Sequence, residues 1–110
     1  MKTLKFSPEL VQLIISGQKT CTWRIFDDKD LKVGDLVTFV KRPELTPFAE
    51  AKLTSVTEKP LKNLTKEDKK GHESFESEEQ MYRTYSNYYK QPVNGKTKIK
   101  IIHFKILKFN

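Results

Sequence analysis

The sequence predicts a small α+β domain whose sheet bends towards a barrel, and three features carry that prediction. Some segments place apolar residues at helical spacing behind capping residues; others are alternating or continuous apolar runs bounded by turn residues; and the last apolar run changes face midway. With 110 residues there is room for one hydrophobic core, so residues 1–110 are expected to form a single domain.

Ser7, Pro8 and Glu9 read as N-cap, first helical residue and dipole-matched acid, and Leu10, Val11, Leu13, Ile14 and Ile15 follow at helical spacing. Gly17 should end this helix in the left-handed conformation. Thr20 to Phe26 alternates, with Cys21, Trp23 and Ile25 on one face and Thr22 and Arg24 on the other, which predicts a half-buried strand. Residues 26–30 form a polar turn, and Val33-Gly34-Asp35 is a tight turn feeding a second strand over Leu36 to Val40. Arg42 to Pro47 reads as a loop with Pro43 and Pro47 as breakers, after which Phe48 to Thr57 alternates weakly as a third strand.

Beyond Pro60 the character becomes helical: Leu61 and Leu64 precede Thr65 and Asp68, spaced as a capping box, and Gly71 closes the segment. Ser77 with Gln80 has the same spacing ahead of Met81, Tyr82, Tyr85, Tyr88 and Tyr89, which fall on one helical stripe. Such a stripe suits a face packed on a sheet; facing solvent, it would be a platform for bases or a contact for a protein partner. Thr97 to Phe109 is strand-like, with Ile99 and Ile101 on one face but Ile102, Phe104 and Ile106 on the other. A bulge, or a strand bending between layers, accounts for that switch.

Twenty-one Lys and Arg against 14 Asp and Glu give a net charge of +7, which favours anionic partners, nucleic acid first among them. Part of that charge is also consistent with an ordinary solvated helix face, since Lys66, Lys69 and Lys70 interleave with Glu67 and Asp68. No apolar run reaches the roughly 20 residues needed to span a bilayer, the N-terminus lacks the pattern of a cleaved signal, and Cys21 has no cysteine to pair with. The expectation is a cytoplasmic protein without membrane partner. His72 and His103 with one cysteine make no metal set, so neither metal nor cofactor is expected. His103, inside the last strand, reads as structural, and Trp23 and Cys21 read as core.

The segment richest in chemistry is Gly17 to Arg24, where a helix-ending glycine is followed by Lys19, Thr20, Thr22 and Arg24. Thr22 and Arg24 share a strand face. Strict alternation puts Lys19 on the other, but its flexible stem at the turn lets it swing across. Together these donors suit a small anionic or carbonyl-bearing group. An exposed face with a cation ladder is the plain structural alternative.

The pattern G-x-K-x-x-x-x-R after a short helix, the L-x-V-G-D turn at Leu31 to Asp35, the H-E-x-F segment at His72 to Phe75 and the closing β run together resemble the ASCH family, over nearly the whole chain. That resemblance implies a PUA-like β-barrel of about five to six mostly antiparallel strands flanked by roughly two to three helices. It also implies a cleft beside the Gly17–Arg24 turn for RNA, a nucleoside or a nucleotide. Some small ASCH proteins are amidohydrolases that deacylate N4-acetylcytidine with a Lys, a Thr and a Glu. The K-T-x-T-x-R match carries Lys19 and Thr22 over as that pair, with Glu73 the best acid by position and His72 equally close by counting. Thr20, Arg24 and His72 are then ligand-binding candidates, and Lys96, Lys98 and Lys100 candidates for a nucleic-acid backbone.

The chemistry is coherent from the residues alone. A threonine hydroxyl becomes nucleophilic when a neighbouring base takes its proton, and a lysine serves if burial and the Arg24 charge favour its neutral form. A nearby Glu73 would orient it while opposing that effect. Arg24 is placed to stabilise an oxyanion. Three functions therefore remain open: binding of RNA or a modified nucleoside, hydrolysis of an N4-acylated cytidine, and protein interaction through the tyrosine helix.

Overall fold

A computed structural model describes residues 2–26, 29–72 and 74–110, and its elements follow the apolar pattern closely. The strands are β1 (Lys2–Phe6), β2 (Cys21–Ile25), β3 (Leu36–Lys41), β4 (Thr46–Pro60) and β5 (Lys98–Phe109). The helices are α1 (Pro8–Ile15), α2 (Lys66–Lys69) and α3 (Glu78–Tyr89), with a 3-10 turn at Leu61–Asn63. The five strands form one curled sheet in the order β1-β3-β4-β5-β2, a half-barrel in which only the β1–β3 pair is parallel.

The switch of apolar face in β5 reflects a strand buried on both sides. Ile99 and Ile101 enter one core cluster with Cys21, Trp23, Ile25 and Met81, while Ile102 and Phe104 enter a second with Leu4, Phe6, Val37, Phe39 and Leu53. Next to the switch the β4–β5 register shifts between Leu53 and Ser55, and it shifts again between Glu50 and Ala51. Extra residues of this kind bend and twist a strand, which lets the sheet coil around the second cluster. Each fully buried Leu, Ile or Phe contributes about 1.5–3 kcal/mol, so the two clusters account for most of what holds the sheet in this shape.

Several local expectations are refined. Helix α1 begins at Pro8, but the Ser7 side chain makes no capping hydrogen bond; instead its carbonyl accepts from Val11 N–H. Gly17 takes φ +82° after the helix, as a left-handed terminator should. The segment after Pro60 is two short pieces rather than one helix, and Thr65 and Asp68 form a complete capping box on the second. On α3 the box is only half made: the Ser77 hydroxyl accepts from Gln80 N–H, whereas Gln80 Oε1 accepts from Glu76 N–H. Tyr82, Tyr85 and Tyr89 pack against the Trp23 cluster, leaving Tyr88 more than half exposed.

The turn at Leu31 to Asp35 is closed by its own acid. Asp35 Oδ2 accepts from Lys32 N–H at 2.9 Å and pairs with Lys2 Nζ at 2.8 Å, which ties the turn to β1. These contacts, the Lys2 bond first, hold the carboxyl below the usual aspartate range. No helix among the described residues is long and apolar enough to cross a membrane.

Candidate functional site

Strand β2 lies at an edge of the sheet and pairs only with β5, setting Thr22 opposite Ile102 and Arg24 opposite Lys100, with Trp23 opposite Ile101 on the other face. Its entry is fixed by the Gly17 turn, where Lys19 N–H donates to the Leu13 carbonyl at 3.0 Å. Lys19 and Thr22 are the buried charged and polar side chains of the described residues, 2% and 4% exposed. Burying an amine and a hydroxyl is costly unless each is satisfied, so the fold has to provide for both at this point.

Segments far apart in the chain meet at β2. Thr20 and Cys21 both donate their N–H groups to the Gly71 carbonyl, at 2.8 and 3.1 Å. The next residue, His72, lies flat against Trp23, with ring centroids 3.7 Å apart and planes 11° from parallel. Trp23 is thus both core and wall. Its Nε1 is buried without a hydrogen-bond partner among the described residues. Glu73, the acid proposed from sequence, lies outside the described residues.

Because the half-barrel does not close, β1 and β2 face each other as edges, and Arg24 spans the gap. Its Nη2 donates to the Lys5 carbonyl at 3.0 Å, and its guanidinium lies over the Phe6 ring at 4.9 Å. On β2 itself, Ile25 N–H donates to the Tyr89 hydroxyl at 3.1 Å. Between these elements opens a cleft of about 310 Å³. Thr22, Trp23, Phe75, Tyr85, Tyr88 and Tyr89 supply its hydroxyl and aromatic walls, and its charged residues, among those described, are Lys5, Arg24 and Arg42. The guanidinium of Arg42 stands 6.0 Å from the centre of the Tyr88 ring. A cavity of about 300 Å³ lies across the Trp23–His72 wall, bordered by Lys69, Glu76 and Glu78.

Among the sequence-proposed residues, Thr22, Arg24 and His72 line the cleft; Lys19 is buried at the turn feeding the strand and does not line it. Thr20 is exposed, with its hydroxyl against Gly71. Lys98 and Lys100 border a shallow hollow beside Arg24, whereas Lys96 is exposed in the preceding loop. Lys5, Arg42 and Phe75 were not singled out as cleft residues from sequence. Phe75 falls in the H-E-x-F segment, whereas no local pattern distinguishes Lys5 and Arg42, which reach the cleft through the β1–β3 pairing.

No protein-family model matches this chain, and no curated protein matches it in sequence. Solved structures do share its fold. Protein EF3133 from Enterococcus faecalis V583, of family-model DUF984, superposes with a TM-score of 0.77 at 19% identity, covering 93% of this chain and 72% of that one. The ASCH domain from Lactobacillus crispatus JV V101 gives 0.68 at 15%, over 90% and 70%. ASCH from Zymomonas mobilis gives 0.68 at 16%, over 97% and 68%. At these identities the likeness is one of fold, and it agrees with the motifs that resemble the ASCH family.

Proposed function

We propose that this chain, which has the fold of ASCH domain proteins, binds RNA or a modified nucleoside, with a nucleobase held in the cleft beside β2. The observation that carries this reading is the cleft's lining: aromatic walls around the buried Thr22, with cations as the charged residues described there. Aromatic faces stack on unpaired bases, and Lys5, Arg24 and Arg42 suit a phosphate or a polarised carbonyl. Lys98 and Lys100, with Lys96 further out, would meet neighbouring phosphates. A cytoplasmic setting fits the lone buried Cys21, which has no need of oxidation.

A second reading is favoured by the burial of Lys19 together with Thr22. In it the chain is an amidohydrolase acting on an N4-acylated cytidine. Lys19 takes the Thr22 hydroxyl proton as the Thr22 oxygen attacks the acyl carbonyl, and Arg24 faces the oxyanion. The C–N bond then breaks, the amine leaves with that proton, and water hydrolyses the acyl-threonine. Glu73 retains its place as the proposed acid. Protein interaction through the tyrosine helix has less support, since Tyr82, Tyr85 and Tyr89 are spent on packing.

The deciding experiment follows conversion of N4-acetylcytidine to cytidine by wild type, Lys19→Ala and Thr22→Ala. Turnover abolished by both changes in folded protein establishes the hydrolase. No turnover, with binding of short RNA that weakens as salt rises, establishes the binding domain. Absence of both overturns both readings.

A further inference from the structure

The sheet has a stretch of outer face, away from the cleft, that neither core cluster uses. Leu36, Lys52 and Lys105 each alternate with core residues: Leu36 precedes the buried Val37, Lys52 lies between Ala51 and Leu53, and Lys105 follows Phe104. Their side chains therefore point away from the apolar interior, and the register sets Leu36 opposite Lys52 and Lys52 opposite Lys105, one row across β3, β4 and β5. Helix α3 packs its tyrosines on the Trp23 cluster and leaves this row uncovered: Leu36 is 50% exposed, and both lysines are exposed. Beside the row, Gly34 N–H donates to the Leu53 carbonyl at 2.7 Å, which docks the turn carrying the exposed Val33 against β4.

Like charges directly opposite each other on neighbouring strands repel, and that arrangement is destabilising. The adjoining row has an acid to relieve it: Glu50 stands opposite Lys108, whose Nζ lies 3.6 Å from Glu50 Oε2. Lys52 and Lys105 have no such relief, since neither makes an ion pair or a hydrogen bond among the described residues. An exposed leucine and valine next to an unrelieved pair of cations form a seat with an apolar side and a positive side.

The dimensions and the charge together select an occupant. Two interstrand spacings make the row about 10 Å wide, which is the width of one α-helix with its side chains. A second copy of this chain would bring its own Lys52 and Lys105 against the same pair, and each copy carries a net charge of +7. Nucleic acid is disfavoured because Leu36 and Val33 are aliphatic and offer no ring on which a base could stack. A helix with an apolar stripe flanked by carboxylates uses both sides of the seat, its stripe covering the aliphatic residues and its acids entering between the lysines.

We propose that this face docks an acidic amphipathic helix of a partner protein, with the apolar stripe on Leu36 and Val33 and the carboxylates at Lys52 and Lys105. The inference is independent of what the cleft holds.

The test maps amide shifts by two-dimensional NMR on the whole chain during titration with a synthetic helical peptide that carries leucines on one stripe and glutamates on either side of it. In wild type the amides of Leu36, Lys52 and Lys105 should move, while those of Thr22 and Tyr88 in the cleft stay in place. A scrambled peptide of the same composition, which has no stripe, should bind about tenfold more weakly. Lys105→Glu turns a like pair into an opposite pair, so it should melt no lower than wild type. It should nonetheless weaken the peptide by about tenfold or more. Leu36→Gln, at an exposed position, should weaken it by about fivefold. Shifts confined to the cleft, equal binding of the scrambled peptide, undiminished binding by Lys105→Glu, or no shift at millimolar peptide would each overturn the proposal. Displacement of the peptide from this face by a short oligocytidylate would assign the face to nucleic acid and overturn it as well.

Discussion

The hydroxyl of Thr20 occupies the space that a β-carbon on Gly71 would need: Oγ1 lies 1.9 Å from that position, and Gly71 has φ +73°. The same glycine offers its carbonyl to two consecutive N–H groups at the start of β2, so backbone hydrogen bonds join the His72 segment to the strand beside the His72–Trp23 stack. Gly71→Ala should therefore cost about 1–2 kcal/mol from the left-handed backbone alone, and more from the contact with Thr20. A fall in melting temperature of roughly 4–8 °C per kcal/mol is expected. Adding Thr20→Ala should recover the steric part and not the backbone part; a double variant no more stable than Gly71→Ala would show that Thr20 gives way freely.

The stack of His72 on Trp23 predicts a graded series. His72→Ala exposes one face of the indole and should lower stability by about 0.5–1.5 kcal/mol, whereas His72→Phe should lose little. Chemical denaturation followed by Trp23 emission measures both. Equal losses in the two variants would assign the effect to a polar bond of His72 instead of its ring.

Arg24→Lys keeps the charge but gives up the planar group that reaches the Lys5 carbonyl and lies over Phe6. It should melt below wild type and bind nucleotide more weakly, with Arg24→Ala weaker still. Thermal melts and a nucleotide titration followed by Trp23 emission read the two effects separately. Full activity in Arg24→Lys would reduce Arg24 to a diffuse charge.

Acid should loosen the molecule through Asp68 as well as Asp35. Burial raises the Asp68 pKa, but the bonds from Lys59 Nζ at 2.7 Å and from the Thr65 N–H and hydroxyl outweigh it, so the carboxyl stays below its ordinary value of 3.8. A carboxyl lowered on folding adds stability that is complete above its unfolded value and is lost as pH falls through the folded one. Unfolding free energy should thus drop as pH falls below about 3.8, and Asp68→Asn should flatten part of that slope. A slope unchanged in Asp68→Asn would place the acid sensitivity elsewhere.

Much of the fold was legible because its signals are local. The Thr65–Asp68 box, the Gly17 turn and the two-faced run of β5 each sit within a few residues. Strand β1 was not legible: Lys2–Phe6 alternates only through Leu4 and Phe6, and its partner is a parallel strand more than 30 residues on. The same gap hid part of the site. Thr22 and Arg24 lie in the motif-bearing segment and could be proposed from it, whereas Lys5 and Arg42 owe their place to that non-local pairing. Trp23 was read as core from its alternation, which holds; nothing in the alternation could reveal that His72 would cover it.

The Arg24 bridge has a consequence for how the protein behaves when empty. Two strand edges confront each other across the cleft, and an uncovered edge is a template on which another chain can pair. Here Arg24 guards one margin through the Lys5 carbonyl, and Tyr89 guards the other through the Ile25 amide. Both guards stand in the cleft that a ligand would fill, so occupancy would shield the margins from self-association. The vacant protein is then the form most prone to clump, and saturating nucleotide should delay the onset of turbidity on heating.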